Sequence, residues 1–268
     1  MHYIGMPFAF RTPLKEDRRL EDKLFKRCFF LPLRATSPKD NSRRCGGNSI
    51  FGGRMQRSNR DFQDVLDEAA RLHGHLCEGL VLGVRMAVAG LDELGIKNPR
   101  SPEGKDLVIF VEIDRCPVDG IIAVTGRTPG KRSIKMMDYG KIAATFVDGR
   151  CGRGVRVSAR GDYVERLAAV TKIRMHGLDD WQAKLAALKT MARNDLFNIQ
   201  SVSVRIPPRD LPGKTLDQVI CGMCGEMVKD SRQVLLDGKA VCRPCSLGKD
   251  YYDAEYGVLP GPGHERLI

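Results

Sequence analysis

The chain has 268 residues, of which 42% are hydrophobic, enough for one ordinary core and a small appended module. No apolar run approaches the roughly 18 residues that span a bilayer, and the run at 28–33 is too short for a signal peptide. We therefore expect a cytoplasmic protein without a membrane partner. The net charge of +11 lies mostly in residues 1–60, which carry +9 of it. The nearly neutral remainder argues against a nucleic-acid groove.

Residues 1–54 contain scattered Arg and Lys and two Gly-Gly pairs but no sustained hydrophobic period. Three interpretations stay open: a disordered basic arm, upstream sequence translated ahead of a true start at Met55, or a targeting peptide. Beyond this segment we expect a main domain over 55–210, a zinc ribbon over 211–250 and a tail over 251–268.

Two helices open the predicted main domain. The first is capped by Ser58 or Asn59, after which apolar residues recur at helical spacing from Phe62. The second spans 78–94 and ends at Gly95, since glycine favours the left-handed C-cap. Its internal glycines lower helix propensity but allow close backbone packing.

The later elements alternate between strands and helices. Apolar and alternating patterns predict strands at 107–113, 142–147, 155–159 and 199–206, and helices at 117–124, 160–174 and 179–193. The fold class is therefore α+β: helices packed on a mixed or antiparallel sheet, followed by a small zinc-ribbon module.

Four cysteines near the C-terminus have zinc-ribbon spacing, with two C-x2-C pairs separated by 17 residues. A hairpin signal at Asp237–Gly238 lies between the pairs. We predict a structural zinc, closed to substrate because all four positions are thiolates. Its ligands are Cys221, Cys224, Cys242 and Cys245.

A second group of metal-ligand residues lies in the main domain. His73, His75 and Cys77 occupy five residues between the first helices, and Cys116 follows a strand, where a helix dipole favours thiolate. We predict that His75, Cys77 and Cys116 share a second divalent metal of unknown identity. The alternative is a pair of hydrogen-bonded histidines with buried cysteines. Acidic candidates beside the site are Glu112, Asp114 and Asp119.

The nine cysteines of a cytosolic protein are expected to be metal ligands or free thiols rather than disulfides.

A glycine loop at 125–131 resembles a phosphate-binding loop but lacks its G-x4-G-K-[ST] arrangement. It contributes Arg127 and Lys131 as candidate anion-binding residues.

The combined order of HGHLCEGLVLGVRMA, EIDRCPVDGI, TGRTPGK, MDYGKIAATF and GRGVRVS before a ribbon resembles the family of formylmethanofuran dehydrogenase E subunits. The resemblance covers roughly 62–247. It implies an α+β domain that binds metal through His73, His75, Cys77 and Cys116, and an association with molybdenum or tungsten enzymes that reduce carbon dioxide onto methanofuran. The family's D-Y-G-K falls on Asp138, Tyr139, Gly140 and Lys141.

The chain departs from the family pattern at two positions. Glu78 stands where members usually have proline, and Arg127 stands where many have cysteine. The resemblance therefore implies an added positive charge near the site, suited to an anionic ligand, and makes redox chemistry by a cysteine pair less expected.

The leading functional hypothesis is a metal-binding accessory protein of molybdenum- or tungsten-dependent one-carbon metabolism, related to oxidoreductases and methanogenesis. Whether it is itself an enzyme stays open, because no pterin or iron–sulfur site is visible in the sequence. The alternatives are a metal-dependent enzyme acting on a small anionic substrate, and a zinc-ribbon regulator that binds nucleic acid or protein. A homodimer is expected.

Overall fold

The computed structural model describes residues 61–174 and 177–252. The predicted arm at 1–54, the alternative start at Met55, the predicted caps Ser58 and Asn59, and residues 253–268 of the tail lie outside the described residues. Among the residues described, no helix has the length and apolar character needed to cross a membrane.

The helices are α1 (Phe62–His73), α2 (Glu78–Leu94), α3 (Pro117–Thr125), α4 (Tyr163–Arg174), α5 (Asp180–Thr190), α6 (Arg193–Leu196) and α7 (Arg243–Leu247). The strands are β1 (Leu107–Val111), β2 (Ile134–Met136), β3 (Ala143–Asp148), β4 (Arg153–Ala159), β5 (Phe197–Ser203), β6 (Gln218–Ile220), β7 (Met227–Lys229), β8 (Val234–Leu236) and β9 (Lys239–Val241). Short 3-10 turns lie at Pro102–Gly104, Pro129–Lys131 and Pro208–Asp210.

The first two helices end at glycines in the left-handed region. Gly74 ends α1 with a φ of 94°, and Gly95 ends α2, as predicted, with a φ of 75°. The cap of α1 is Asp61, whose carboxylate accepts the backbone N–H of Gln63 at 3.3 Å. The helix therefore begins later than the sequence pattern indicated.

Five strands form the main sheet in the order β2-β1-β3-β4-β5. Strands β1 and β2 pair in parallel, and the remaining neighbours are antiparallel, so the sheet is the mixed one of the two predicted arrangements. The sequence pattern missed β2 because the strand has three residues and only Ile134 of them is buried.

The hydrophobic core lies between the helices and one face of this sheet. Along β1, Leu107, Ile109 and Val111 belong to the core, so the alternation of a strand turns Val108 and Phe110 to the other face. Helix α2 approaches the sheet closely, because a Cβ added at Gly90 would lie 2.2 Å from the ring of Phe146. The predicted role of these glycines in close packing is thereby confirmed.

The helix predicted at 179–193 is α5, which ends at Thr190, and the short helix α6 follows from Arg193. Between them Met191 has an extended ψ of 147°, which ends the helical run. Arg85 of α2 donates to the carbonyl oxygens of Leu188 at 2.5 Å and Met191 at 2.6 Å. This guanidinium satisfies carbonyl groups that the end of α5 would otherwise leave unpaired.

The C-terminal module consists of two small hairpins, β6–β7 and β8–β9, followed by α7. The hairpin predicted at Asp237–Gly238 is confirmed. Arg132 of the main domain forms an ion pair with Asp230 of the module at 2.7 Å.

Candidate metal sites

Helices α2 and α3 cross with their backbones in contact. A Cβ added at Gly83 would lie 2.2 Å from the carbonyl oxygen of Pro117, and one at Gly120 would lie 2.6 Å from that of Leu80. Only glycine fits at both positions. The crossing brings the N-termini of the two helices together, and their N-cap residues are Cys77 and Cys116.

The three ligand atoms of His73, Cys77 and Cys116 lie within 4.8 Å of one another. His73 is the last residue of α1, and its Nδ1 lies 2.7 Å from a carboxylate oxygen of Asp119 in the first turn of α3. A carboxylate on one ring nitrogen orients the imidazole and leaves Nε2 for a metal. We call these three residues the main-domain triad.

The Cys77 thiol is affected by burial and by its neighbours. Burial raises the pKa of the Cys77 thiol, and the neighbouring Cys116 raises it further, while the backbone N–H of Leu80 lowers it from 3.4 Å. Because metals bind the thiolate, ion binding here would release protons and weaken as the pH falls.

The triad contains His73, whereas the sequence pattern favoured His75. His75 follows the turn at Gly74, is exposed, and its ring centroid lies 4.9 Å from that of His73. A signal for His73 was present in the sequence: Asp119 lies three residues after Cys116, so both face the same side of a helix. That spacing pairs a metal ligand with a carboxylate able to orient a histidine.

Glu112 serves the sheet rather than the triad. Its carboxylate forms a bidentate ion pair with Arg156 at 2.7 and 2.8 Å, on the sheet face opposite the helices. Its carbonyl oxygen accepts the backbone N–H groups of Tyr139 at 2.9 Å and Lys141 at 3.0 Å. Asp114, at the following bend, is exposed.

The D-Y-G-K segment is a turn built on the end of β1. Asp138 and Gly140 have positive φ of 43° and 67°. The side chains of Tyr139 and Lys141 are exposed, with Lys141 Nζ 6.0 Å from the centre of the tyrosine ring.

Arg127 and Lys131 follow the end of α3 opposite to Cys116. The nine residues of α3 separate the two ends by about 13 Å at 1.5 Å per residue. Arg127 Nη2 donates to the carbonyl oxygen of Pro99 at 3.0 Å, and burial lowers the pKa of its guanidinium. The structure therefore does not bring Arg127 or Lys131 together with the triad.

The ligand atoms of Cys221, Cys224, Cys242 and Cys245 also lie within 4.8 Å of one another. The Cys224 and Cys242 sulfurs are 3.8 Å apart, which matches the roughly 3.8 Å edge of a tetrahedron with Zn–S bonds of about 2.3 Å. Although burial opposes it, backbone N–H groups of Cys224, Cys242 and Met223 lower the pKa of Cys221 to about 6. The cluster is consistent with a zinc ribbon.

Six cysteines in the described ranges are free thiols, and all six belong to these two clusters. Cys151 is disulfide-bonded, contrary to the expectation for a cytosolic chain.

Three comparisons with known proteins bear on these sites. The FmdE family profile, described as "Molybdenum formylmethanofuran dehydrogenase operon", matches residues 72–203. A protein of Archaeoglobus fulgidus named "Probable S-adenosyl-L-methionine-binding protein" is 36% identical over 220 residues, which are 76% of this chain. The chain spans 58% of the length of that relative.

A solved structure of a tungsten formylmethanofuran dehydrogenase FmdE-like protein from Syntrophus aciditrophicus is 20% identical, with a TM-score of 0.47. The match covers 74% of this chain and 100% of that one. The family profile contains every residue of the main-domain triad and ends before the ribbon. The chain therefore carries an FmdE family domain, followed by a four-cysteine cluster consistent with a zinc ribbon.

Proposed function

We propose that the chain is a metal-binding accessory protein of the FmdE type, with an exchangeable metal in its main domain and a structural zinc in its ribbon. The observation that carries this proposal is the triad, in which His73, Cys77 and Cys116 come from three helices and offer ligand atoms within 4.8 Å. Such convergence is typical of a metal centre.

The ligand sets of the two clusters differ in a way that separates their roles. Four thiolates fill a tetrahedral shell, whereas two thiolates and one imidazole leave one position open. An open position allows transfer of the ion to a partner or coordination of a small molecule. We assign the open site to function and the closed site to folding of the ribbon.

The matched family's operon description supports service to a molybdenum enzyme, and we propose a molybdenum or tungsten enzyme as the partner. We further propose that the protein acts as a homodimer in the cytoplasm. Affinity capture with the tagged full chain tests the partner. The wild-type chain should capture a molybdenum or tungsten enzyme, Cys116→Ser should not, and His75→Ala, a change at an exposed histidine, should still capture it.

Metal analysis of the full chain tests the central proposal. After loading with Co²⁺ and dialysis, the wild-type chain should hold two ions, one for each cluster. Cys77→Ser/Cys116→Ser should lose one ion and keep the spectrum of a four-thiolate site. Cys224→Ser/Cys245→Ser should lose the ribbon ion and keep the ion at the triad, with the spectrum of a two-thiolate site.

His75→Ala is the matched control, because His75 lies beside the triad and outside it. A wild-type chain that holds only the ribbon ion after loading would contradict the proposal. Catalysis at the open position would appear as turnover abolished by Cys116→Ala and retained by Cys221→Ala.

A second candidate function is binding of S-adenosyl-L-methionine, for which the Archaeoglobus relative is named. A groove of about 590 Å³ lies over β4 and β5, a volume typical of small-molecule sites. Polar side chains that suit a nucleoside and an amino acid line it: Arg156, Ser158, Arg160, Asn194, Asn198 and Gln200.

Equilibrium dialysis with labelled S-adenosyl-L-methionine tests this candidate. Asn198→Ala/Gln200→Ala should weaken binding, and Cys77→Ser/Cys116→Ser should leave it unchanged because the groove and the triad lie on opposite faces of the sheet. The candidate function would be rejected if the wild-type chain did not bind S-adenosyl-L-methionine, or if Asn198→Ala/Gln200→Ala bound it equally well.

A further inference from the structure

Six charged residues meet where the main domain contacts the ribbon, and we call them the junction cluster. They come from β2 and the turn before it, from the turn at 208–210, and from the turn after β7. The members are Arg132, Lys135, Arg209, Asp210, Asp230 and Arg232.

Two ion pairs engage both carboxylates of the junction cluster. Arg132 Nη1 donates to Asp230 Oδ1 at 2.7 Å, and Arg232 donates to Asp210. Asp230 Oδ1 also accepts the backbone N–H of Leu216 at 3.2 Å. The second arm of Arg132 donates to the carbonyl oxygen of Arg209. Each carboxylate is therefore already engaged, Asp230 by two donors and Asp210 by Arg232.

Two cations remain without a carboxylate of their own among the described residues. Lys135 is half-buried, and burial lowers the pKa of its ammonium, with Arg132 and Arg232 lowering it further against the opposing effect of Asp210 and Asp230. The Nε of Arg209 is buried and finds no hydrogen-bond acceptor in the described part of the chain. A buried N–H donor without an acceptor is unfavourable, so it points to an acceptor that the described residues do not supply.

The cluster has four cations and two carboxylates, a net charge of +2. Arginine and lysine side chains only donate hydrogen bonds, so the missing group is an acceptor and an anion. The donors come from three chain segments, and an anion with oxygens in several directions can accept from all three more readily than a planar carboxylate can.

We propose that the junction cluster binds a tetrahedral oxyanion of the phosphate, sulfate or molybdate class, held mainly by Lys135 and Arg209. The ion would lie on the main-domain side of the junction, next to the ion pairs that Arg132 and Asp210 make with Asp230 and Arg232 of the ribbon. The glycine loop at 125–131 leads into Arg132, which has a φ of 61°. On this proposal, the anion is bound by residues that follow the glycine loop and not by the loop itself.

Titration calorimetry of the full chain in chloride buffer tests the proposal, with inorganic phosphate, sulfate and molybdate as separate ligands. At least one should bind, and Lys135→Met should raise its dissociation constant about tenfold, the effect of losing one hydrogen bond to a charged group. Comparison of the three dissociation constants identifies which oxyanion the site prefers. Lys105→Met is the matched control, because Lys105 is exposed and outside the cluster.

Circular dichroism establishes that each variant is folded, and if Lys135→Met is not, Arg209→Gln tests the loss of a ligand, with the charge-keeping Lys135→Arg beside it. Lys135→Arg should bind within a few-fold of the wild type, and Arg209→Gln should bind more weakly. Absence of binding by all three ions, or equal weakening by Lys105→Met, overturns the proposal. An affinity unchanged in both Lys135→Met and Arg209→Gln overturns it as well.

Discussion

His73 and His75 are two residues apart, yet only His73 lies with Cys77 and Cys116. His73 still belongs to α1 and is held by Asp119, whereas His75 follows the left-handed turn at Gly74. A single residue of helix therefore decides which imidazole meets the thiols. The carboxylate of Asp119 adds a preference for Nε2 as the ligand atom.

Replacing Asp119 with alanine should weaken metal binding at the triad. Loss of a carboxylate that orients a histidine ligand costs about 10–100-fold in metal affinity. Competition with a chromophoric chelator measures the change, and His75→Ala, the neighbouring imidazole, should stay within a few-fold of the wild type. Equal losses in the two variants would contradict the assignment of His73.

The ion pair of Glu112 and Arg156 is the second residue-level test. Arg156→Met leaves a carboxylate with 9% exposure unpaired, which should lower the free energy of unfolding by about 3 kcal/mol. Glu112→Gln/Arg156→Met should recover part of the loss, because no buried charge remains. Urea unfolding measures both, with the exposed Arg205→Met as control. A double variant with a lower free energy of unfolding than Arg156→Met would argue against this explanation.

At the scale of elements, the crossing of α2 and α3 positions the triad. Several elements followed directly from local sequence: α2 with its end at Gly95, the buried strand β1, and the β8–β9 hairpin at Asp237–Gly238. The proximity of His73 to Cys116 did not, because 43 residues separate them and tertiary packing alone brings α1 and α3 together. The glycines of α2 suggested close packing without naming the partner helix.

Gly83→Ala should separate the two helices and weaken the triad. The added methyl group meets the backbone of Pro117 at 2.2 Å, so we expect a loss of about 2 kcal/mol in the free energy of unfolding and weaker Co²⁺ binding at the two-thiolate site. Gly130→Ala is the control, since nothing lies within 4 Å of its added Cβ. A Gly83→Ala variant with unchanged stability and metal affinity would show that the crossing does not position the site.

At the scale of the whole molecule, we expect the two parts of the chain to depend on metal to different degrees. The main domain has its own hydrophobic core between the helices and the sheet, whereas most residues of the ribbon hairpins are exposed. Because the ribbon has so small a core, we expect its fold to depend on the zinc that we propose for its four cysteines. The cysteine spacing predicted that the four ribbon cysteines would lie together, because both C-x2-C pairs are local, whereas the junction cluster required the tertiary structure.

Chelation of zinc should unfold the ribbon and leave the main domain folded. Trp181, the only tryptophan of the chain, lies on α5 and reports the main domain alone. Its urea transition should therefore shift little after chelation, while amide exchange in β6 to β9 should become fast. Loss of the Trp181 transition on chelation would show that the two parts fold as one unit.

Anomalous diffraction at the zinc absorption edge, from crystals of the full chain grown with excess zinc, tests the central claim most directly. The expected result is two peaks, one among the four ribbon sulfurs and one bonded to His73 Nε2 and to the sulfurs of Cys77 and Cys116, with a fourth position not taken by protein. A single peak at the ribbon, or a second peak bonded to His75 in place of His73, would contradict it.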